Sequence, residues 1–92
     1  MLTPIYATRF DMDFKLAVRR GKDPEKIKTA IRLLCSGQPL PASYRDHPLK
    51  GRFARCRDCH IEPDLILIYA IDNGQLQLIC LRLDTHSDLF GN

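Results

Sequence analysis

The chain has 92 residues and a formal net charge of +3, with 45% hydrophobic and 27% charged residues. This length fits one domain, residues 1–92, and this composition excludes a disordered chain, because enough apolar side chains are present to form a core. No apolar run reaches the ~18–20 residues of a transmembrane helix, and the N-terminus shows no secretory signal. We therefore expect a cytoplasmic protein without a membrane partner.

The N-terminal half predicts a strand and two helices. Residues 4–8 are a short apolar stretch typical of a strand. The first helix has apolar side chains at helical spacing and ends at Gly21, and these side chains are Phe10, Phe14, Ala17 and Val18. Asp23 and Pro24 match the N-cap and first position of a second helix, which ends at Gly37. Because so few residues join the two helices, they form a helical hairpin.

The C-terminal half predicts three strands after a proline-rich loop at residues 38–51. The strands lie at residues 52–60, 64–71 and 75–83. Asn73 and Gly74, between the last two strands, are a strong hairpin signal. Thr85 begins a capping box that predicts a short C-terminal helix. The order β-α-α-β-β-β plus this helix gives an α+β fold in which the helical hairpin packs on a small antiparallel sheet.

Charge is divided unevenly along the chain. Residues 1–60 carry 13 Lys or Arg against 6 Asp or Glu, whereas residues 61–92 carry 1 against 5. The densest basic segment, residues 45–57, contains Arg45, Lys50, Arg52, Arg55 and Arg57. This asymmetry indicates a polyanionic partner such as nucleic acid, and a simple solvated face is the alternative.

The four cysteines are expected to be reduced, since no secretory signal precedes them. They are Cys35, Cys56, Cys59 and Cys80. The segment from Cys56 to His60 matches the C-x-x-C-H pattern of haem attachment, and two thiolates could also hold zinc. On a strand, however, Cys56 and Cys59 point to opposite faces, which suits neither group. We therefore predict no cofactor at the cysteines.

Three histidines and one aspartate are the candidate catalytic residues. His47 lies in the proline-rich loop, while His60, Asp64 and His86 lie at strand ends. If the strands are neighbours, these four side chains meet at one edge of the sheet. Beside a basic segment they supply what metal-free RNA cleavage requires, namely a base for the 2′-hydroxyl, an acid for the 5′-oxygen and cations for the phosphorane. The same four side chains could instead ligate zinc.

Three segments carry a resemblance to a known family. They are residues 40–51 with D-H-P-L, residues 57–69 with C-H-I-E-P-D, and residues 85–91 with T-H-S-D-L-F. Together they resemble YafQ-type toxins of the RelE/ParE superfamily, and the likeness extends loosely over the rest of the chain. The resemblance implies a RelE-like fold and a bacterial type II toxin, an mRNA interferase that cuts messenger RNA on the ribosome.

The resemblance also implies that the positions of His47, His60, Asp64 and His86 form the active site, with Phe90 close by. Within that site we expect His86 to be the general acid and His47 the base, with His60 and Asp64 at the phosphate region. RNA contacts are expected from Arg45, Lys50, Arg52, Arg55 and Phe90. The implied partner is a cognate, DinJ-like antitoxin in a hetero-oligomer, whereas the free toxin is monomeric.

A ParE-type toxin is the main alternative. Such toxins share the RelE-like fold but bind DNA gyrase and cleave nothing. They need no histidine cluster, so the three histidines of this chain favour the ribonuclease.

Overall fold

The computed structural model describes residues 1–85. Its helices are α1 (Thr8–Arg19) and α2 (Pro24–Ser36). Its strands are β1 (Thr3–Tyr6), β2 (His47–Pro48), β3 (Arg57–Glu62), β4 (Leu65–Asp72) and β5 (Gln77–Thr85). The predicted α+β fold is confirmed. The predicted C-terminal helix lies outside the described residues, and within them no helix has the length and apolar character needed to cross a bilayer.

The five strands form one mixed sheet in the order β1-β5-β4-β3-β2. Strands β2 to β5 pair antiparallel with their neighbours. β1 instead runs parallel to β5, with Ile5 beside Ile79, so the prediction of a purely antiparallel sheet is wrong. A parallel pair needs a long crossover connection, and the helices and strands between β1 and β5 supply it.

The main core lies between the helices and the sheet. Side chains from α1 and α2 pack there against alternate residues of β4, namely Leu65, Leu67 and Tyr69. The intervening residues, Ile66 and Ile68, point to the other face, where they form a second apolar cluster. β4 is therefore buried on both faces, as its continuous apolar sequence predicts.

Both helix ends of α2 follow the sequence prediction. The side chain of Asp23 accepts a hydrogen bond from the backbone N–H of Glu25 at 2.9 Å. Gly37 ends the helix in the left-handed conformation, with φ of 79°.

The prediction for the buried face of α1 is wrong at Val18, which is 39% exposed, whereas Asp13 is buried. Asp13 can be buried because its Oδ2 atom accepts from Arg82 Nε at 2.8 Å and from the backbone N–H of Leu83 at 3.0 Å. These partners lie 69 and 70 positions further along the chain than Asp13. Helical periodicity alone therefore does not reveal them.

Two predicted boundaries also change. The predicted strand at residues 52–60 begins only at Arg57, because a 3-10 turn occupies Gly51–Phe53. The β4–β5 connection has four residues rather than two, and the left-handed residue is Leu76, with φ of 55°, rather than Asn73 or Gly74. The side chain of Asp72 stabilises this longer turn by accepting from the N–H of Gln75 at 3.1 Å.

Candidate active site

Two of the predicted histidines meet on the sheet face opposite the helices. The ladder places His47 of β2 beside Asp58 of β3, and it places Asp58 and His60 beside Ile68 and Ile66 of β4. Alternate residues of a strand share a face, so the side chains of His47, Asp58 and His60 project from the same side. The two imidazole centroids are 6.3 Å apart. We call this surface the histidine face.

Asp58 lies between the two imidazoles. Its Oδ1 atom is 3.2 Å from His47 Nδ1 and 3.9 Å from His60 Nε2, and the residue is 2% exposed. A carboxylate in this position orients an imidazole and stabilises the imidazolium cation. Asp58 is not among the predicted site residues, although its position two residues before His60 on a strand predicts a shared face.

One hydrogen bond of His47 fixes its tautomer. The backbone carbonyl of Arg45 accepts from His47 Nδ1 at 2.6 Å, and Asp58 Oδ1 lies 3.2 Å from the same nitrogen as an ion-pair contact. Because both neighbours are acceptors, the network assigns the ring proton to Nδ1, and Nε2 of the neutral ring keeps its lone pair. Arg45 directs its carbonyl at the ring from a left-handed conformation, with φ of 49°, which is uncommon for a residue other than glycine.

Asp64 lies in the turn before β4 rather than in the strand. Its carboxylate is largely exposed, and Lys22 Nζ is 3.3 Å from Asp64 Oδ1 and 3.1 Å from Glu62 Oε1. The hydrogen bond to Glu62, followed by that to Asp64, raises the pKa of Lys22 against the opposing effect of burial. A register shift between His60 and Glu62 interrupts the strand between His60 and Asp64, so the two residues do not follow one regular alternation.

The other two predicted site residues, His86 and Phe90, lie outside residues 1–85. Among the predicted RNA contacts, the exposed side chains are Arg45, Lys50, Arg52 and Arg55. The guanidinium of Arg52 lies 5.1 Å from the centroid of the Phe53 ring. Arg57, the remaining cation of the basic segment, is only partly exposed because Asp46 binds it.

A polar network joins this basic segment to the core. The Oδ1 atom of Asp46 accepts from the Tyr69 hydroxyl at 2.6 Å and from Arg57 Nε at 3.2 Å. Tyr69 is 1% exposed. Burial, followed by the hydrogen bond to Asp46, raises the pKa of Tyr69, so the phenol stays protonated and acts as a donor. We call these three residues the Asp46 network.

A further cation, Arg82, was missed because it is isolated in the acidic C-terminal third of the sequence. It pairs with Ile68 across β4–β5, in the same cross-strand row as Asp58 and His47. Its guanidinium is held by Asp13, with Asp84 at 3.6 Å.

The alternative of a zinc site depends on how the metal-ligating side chains are grouped. Within residues 1–85, no three His, Cys, Asp or Glu side chains are grouped closely enough to hold a metal ion. The alternative of a zinc site therefore needs a ligand from the rest of the chain. Cys59 packs in the main core and Cys56 in the second cluster, on opposite faces. Burial raises the pKa of Cys59, which disfavours the thiolate that zinc requires.

Comparison with known proteins shows the family. Residues 2–91 match the family model described as the bacterial toxin of type II toxin–antitoxin systems, YafQ. The chain belongs to the YafQ family. Over 87 residues it is 45% identical to the mRNA interferase toxin YafQ of Escherichia coli strain K12, an alignment that covers 94% of this chain and 92% of that protein.

Solved structures agree with this assignment to the YafQ family. A metal-bound toxin from Helicobacter pylori superposes with a TM-score of 0.92 at 41% identity, covering 98% of this chain and 100% of that one. A chain of the E. coli DinJ-YafQ complex gives a TM-score of 0.89 at 42% identity, covering 99% and 100%. The resemblance seen in the sequence is thereby confirmed.

Proposed function

We propose that this YafQ-family chain is a toxin that cleaves messenger RNA on the ribosome by acid–base catalysis. The observation that carries the proposal is the histidine face, where two imidazoles flank a buried carboxylate beside exposed cations. The name of the E. coli relative, an mRNA interferase, supports the same activity. A gyrase-binding toxin has no use for this arrangement.

His47 is the proposed base. Its Nδ1 atom is engaged by Arg45 and Asp58, which leaves Nε2 to accept the proton of the 2′-hydroxyl as that oxygen attacks phosphorus. Asp58 then stabilises the imidazolium that forms. Because the proton passes between an oxygen and an imidazole, this step needs no metal.

His60 and Asp64 act at the phosphate region, and His86 protonates the departing 5′-oxygen. The ring of His60 donates from Nδ1 to the carbonyl of Pro63 at 3.3 Å. A carboxylate repels phosphate, so Asp64 acts by holding the ammonium group of Lys22. Charge from the exposed arginines opposes the negative charge of the phosphorane.

RNA binding is assigned to the exposed basic side chains and to Phe90. Arg45, Lys50 and Arg52 lie on both sides of β2, so they can contact phosphates on either side of the scissile bond. Phe90 offers a ring on which a base can stack.

A DinJ-like antitoxin is the proposed protein partner, since a YafQ relative was solved in complex with DinJ. An acidic, apolar antitoxin segment that covers the basic face and folds on binding would block access of RNA. We further propose that the complex is a hetero-oligomer, that the free toxin is monomeric, and that the protein acts in the cytoplasm, where ribosomes are.

The test is single-turnover cleavage of messenger RNA on programmed ribosomes, with mapping of new 5′ ends. The wild-type chain should cleave, and His86→Gln should lower the rate by ~10²–10⁴-fold, because glutamine cannot transfer a proton near neutral pH. Its melting temperature and antitoxin binding should stay those of wild type. A wild-type chain that leaves messages intact but inhibits gyrase would establish the alternative.

A further inference from the structure

A buried hydroxyl lies beneath the segment that carries His47. Tyr69 belongs to β4, at the centre of the sheet, and its ring packs in the main core. Its hydroxyl reaches Asp46 at 2.6 Å, a distance typical of a charge-assisted hydrogen bond between a hydroxyl and a carboxylate. The residue that follows Asp46 is His47.

The sheet alone does not fix this segment. β2 contains only His47 and Pro48, so it adds two residue pairs to the edge of the sheet, and proline supplies no backbone N–H to the ladder. Arg45, just before Asp46, has a left-handed backbone that neighbouring contacts must hold. The backbone N–H of Arg45 donates to the carbonyl of Ala42 at 3.0 Å, and the side chain of Asp46 adds contacts to Tyr69 and Arg57.

Asp46 and His47 connect the two faces of the sheet. Asp46 contacts Tyr69 of the main core, whereas His47 contacts Asp58 on the histidine face. A displacement of Asp46 on one side of the segment therefore moves the imidazole of His47 on the other side. A shift of ~1 Å in a reacting group can cost ~10²-fold in rate.

We propose that Tyr69 is a positioning residue for His47 and that it acts through Asp46 without touching RNA. The proposal rests on the proposed nuclease function of the histidine face. It assigns control over the geometry of the proposed base to a core hydroxyl that lies 23 residues from Asp46 in sequence.

The first experiment removes only the hydroxyl. Tyr69→Phe keeps the ring in the core and should lower the single-turnover rate by ~10–10²-fold, while the ribosome concentration at half-maximal rate changes less than twofold. Tyr6→Phe, which removes the hydroxyl of a half-exposed ring stacked on Phe10, should cleave like wild type. Ile27→Val, chosen as a core variant of lowered melting temperature, controls for lost stability and should also keep its rate.

The second experiment tests whether Asp46 transmits the effect. Asp46→Asn retains an acceptor oxygen for Tyr69 and should keep most of the rate, whereas Asp46→Ala, which also removes the contact with Arg57, should lose at least as much as Tyr69→Phe. Combining Asp46→Ala with Tyr69→Phe should cost no more than Asp46→Ala alone, because both changes break the same hydrogen bond. Losses that multiply in the double variant would overturn the proposal, and so would a Tyr69→Phe rate within twofold of wild type.

A third measurement does not require cleavage. Spectra of the ¹⁵N-labelled chain should show His47 with its proton on Nδ1, and Tyr69→Phe should give a mixture of tautomers, whereas Tyr6→Phe should not. If wild-type protein fails to cleave RNA, the proposed function fails and the tautomer still decides the positioning role. An unchanged His47 tautomer in Tyr69→Phe, with an unchanged rate, would show that Tyr69 is structural only.

Discussion

At the scale of single residues, the charge of Asp58 has the largest expected influence on the histidine face. The carboxylate is buried and lies within 4 Å of a nitrogen of each imidazole. It therefore acts on both rings with little screening by solvent. A group of this kind is recognisable from sequence only by its strand spacing, since a lone aspartate next to cysteine carries no motif.

We predict that Asp58→Asn lowers the single-turnover cleavage rate by ~10–10²-fold, because the amide keeps the shape of the carboxylate but does not stabilise an imidazolium. Asp72→Asn is the matched control, since Asp72 is the last residue of β4, at the opposite end of that strand from the partner of His60. Equal rates for Asp58→Asn and wild type would exclude Asp58 from the mechanism.

The two cysteines of the C-x-x-C-H segment lead to a second residue-scale prediction. Cys56→Ser combined with Cys59→Ala should still arrest growth on induction, with a melting temperature lowered by only a few degrees. Alanine suits the buried position of Cys59, where a serine hydroxyl would need a hydrogen-bond partner. Loss of toxicity in a correctly folded variant, judged by circular dichroism, would indicate a metal or redox role.

At the scale of elements, one buried ion pair joins α1 to β5. Asp13 binds both the side chain of Arg82 and the backbone of Leu83, next to an irregularity in the β4–β5 ladder. The irregular strand loses regular pairing there, and the carboxylate supplies the missing acceptor. These contacts explain why Asp13 is buried and why the side chain of Arg82 is held next to α1.

We predict that Asp13→Ala lowers the free energy of unfolding by ~2–4 kcal/mol, because it leaves Arg82 Nε and the backbone N–H of Leu83 without their acceptor. For a domain of this size the melting temperature should fall by ~10–25 °C. Asp11→Ala, which removes the same charge from an exposed position of α1, should change it by little. Similar melting temperatures for the two variants, measured by circular dichroism, would contradict this account of Asp13.

At the scale of the whole molecule, one face of the sheet serves stability and the other serves the proposed chemistry. The helices cover one face and form the main core, and the histidine face, which we propose binds RNA, lies on the other. The sheet couples the positions of side chains on its two faces, because adjacent residues on a strand project to opposite sides. The assignment of all 92 residues to one domain stays a prediction.

A whole-molecule prediction concerns metal. The purified chain, dialysed against a chelator and then added to ribosomes in magnesium buffer, should cleave as fast as the untreated chain. Both proton transfers are assigned to imidazoles, so removal of zinc or copper should cost nothing. The Helicobacter pylori relative was solved with bound metal, which makes elemental analysis the necessary companion measurement. Stoichiometric metal that is lost together with activity would replace the metal-free mechanism.

The sequence by itself determined the helices, the central strand and the resemblance to YafQ-type toxins. These features depend on neighbouring residues, such as the cap of Asp23, the left-handed Gly37 and the continuous apolar run of β4. The local periodicity of apolar residues indicates which side of a helix or strand is buried, so the sequence predicts these elements directly.

Only the tertiary structure decided the parallel pairing of β1, the burial of Asp13 and the contacts of Asp46, Asp58 and Asp64. Of these carboxylates only Asp64 was singled out from the sequence, yet Asp13, Asp46 and Asp58 pair with partners far along the chain or across the sheet. A buried charge is stable only where its partners meet it, and that depends on strand order and register. Local sequence patterns predict neither the strand order nor the register.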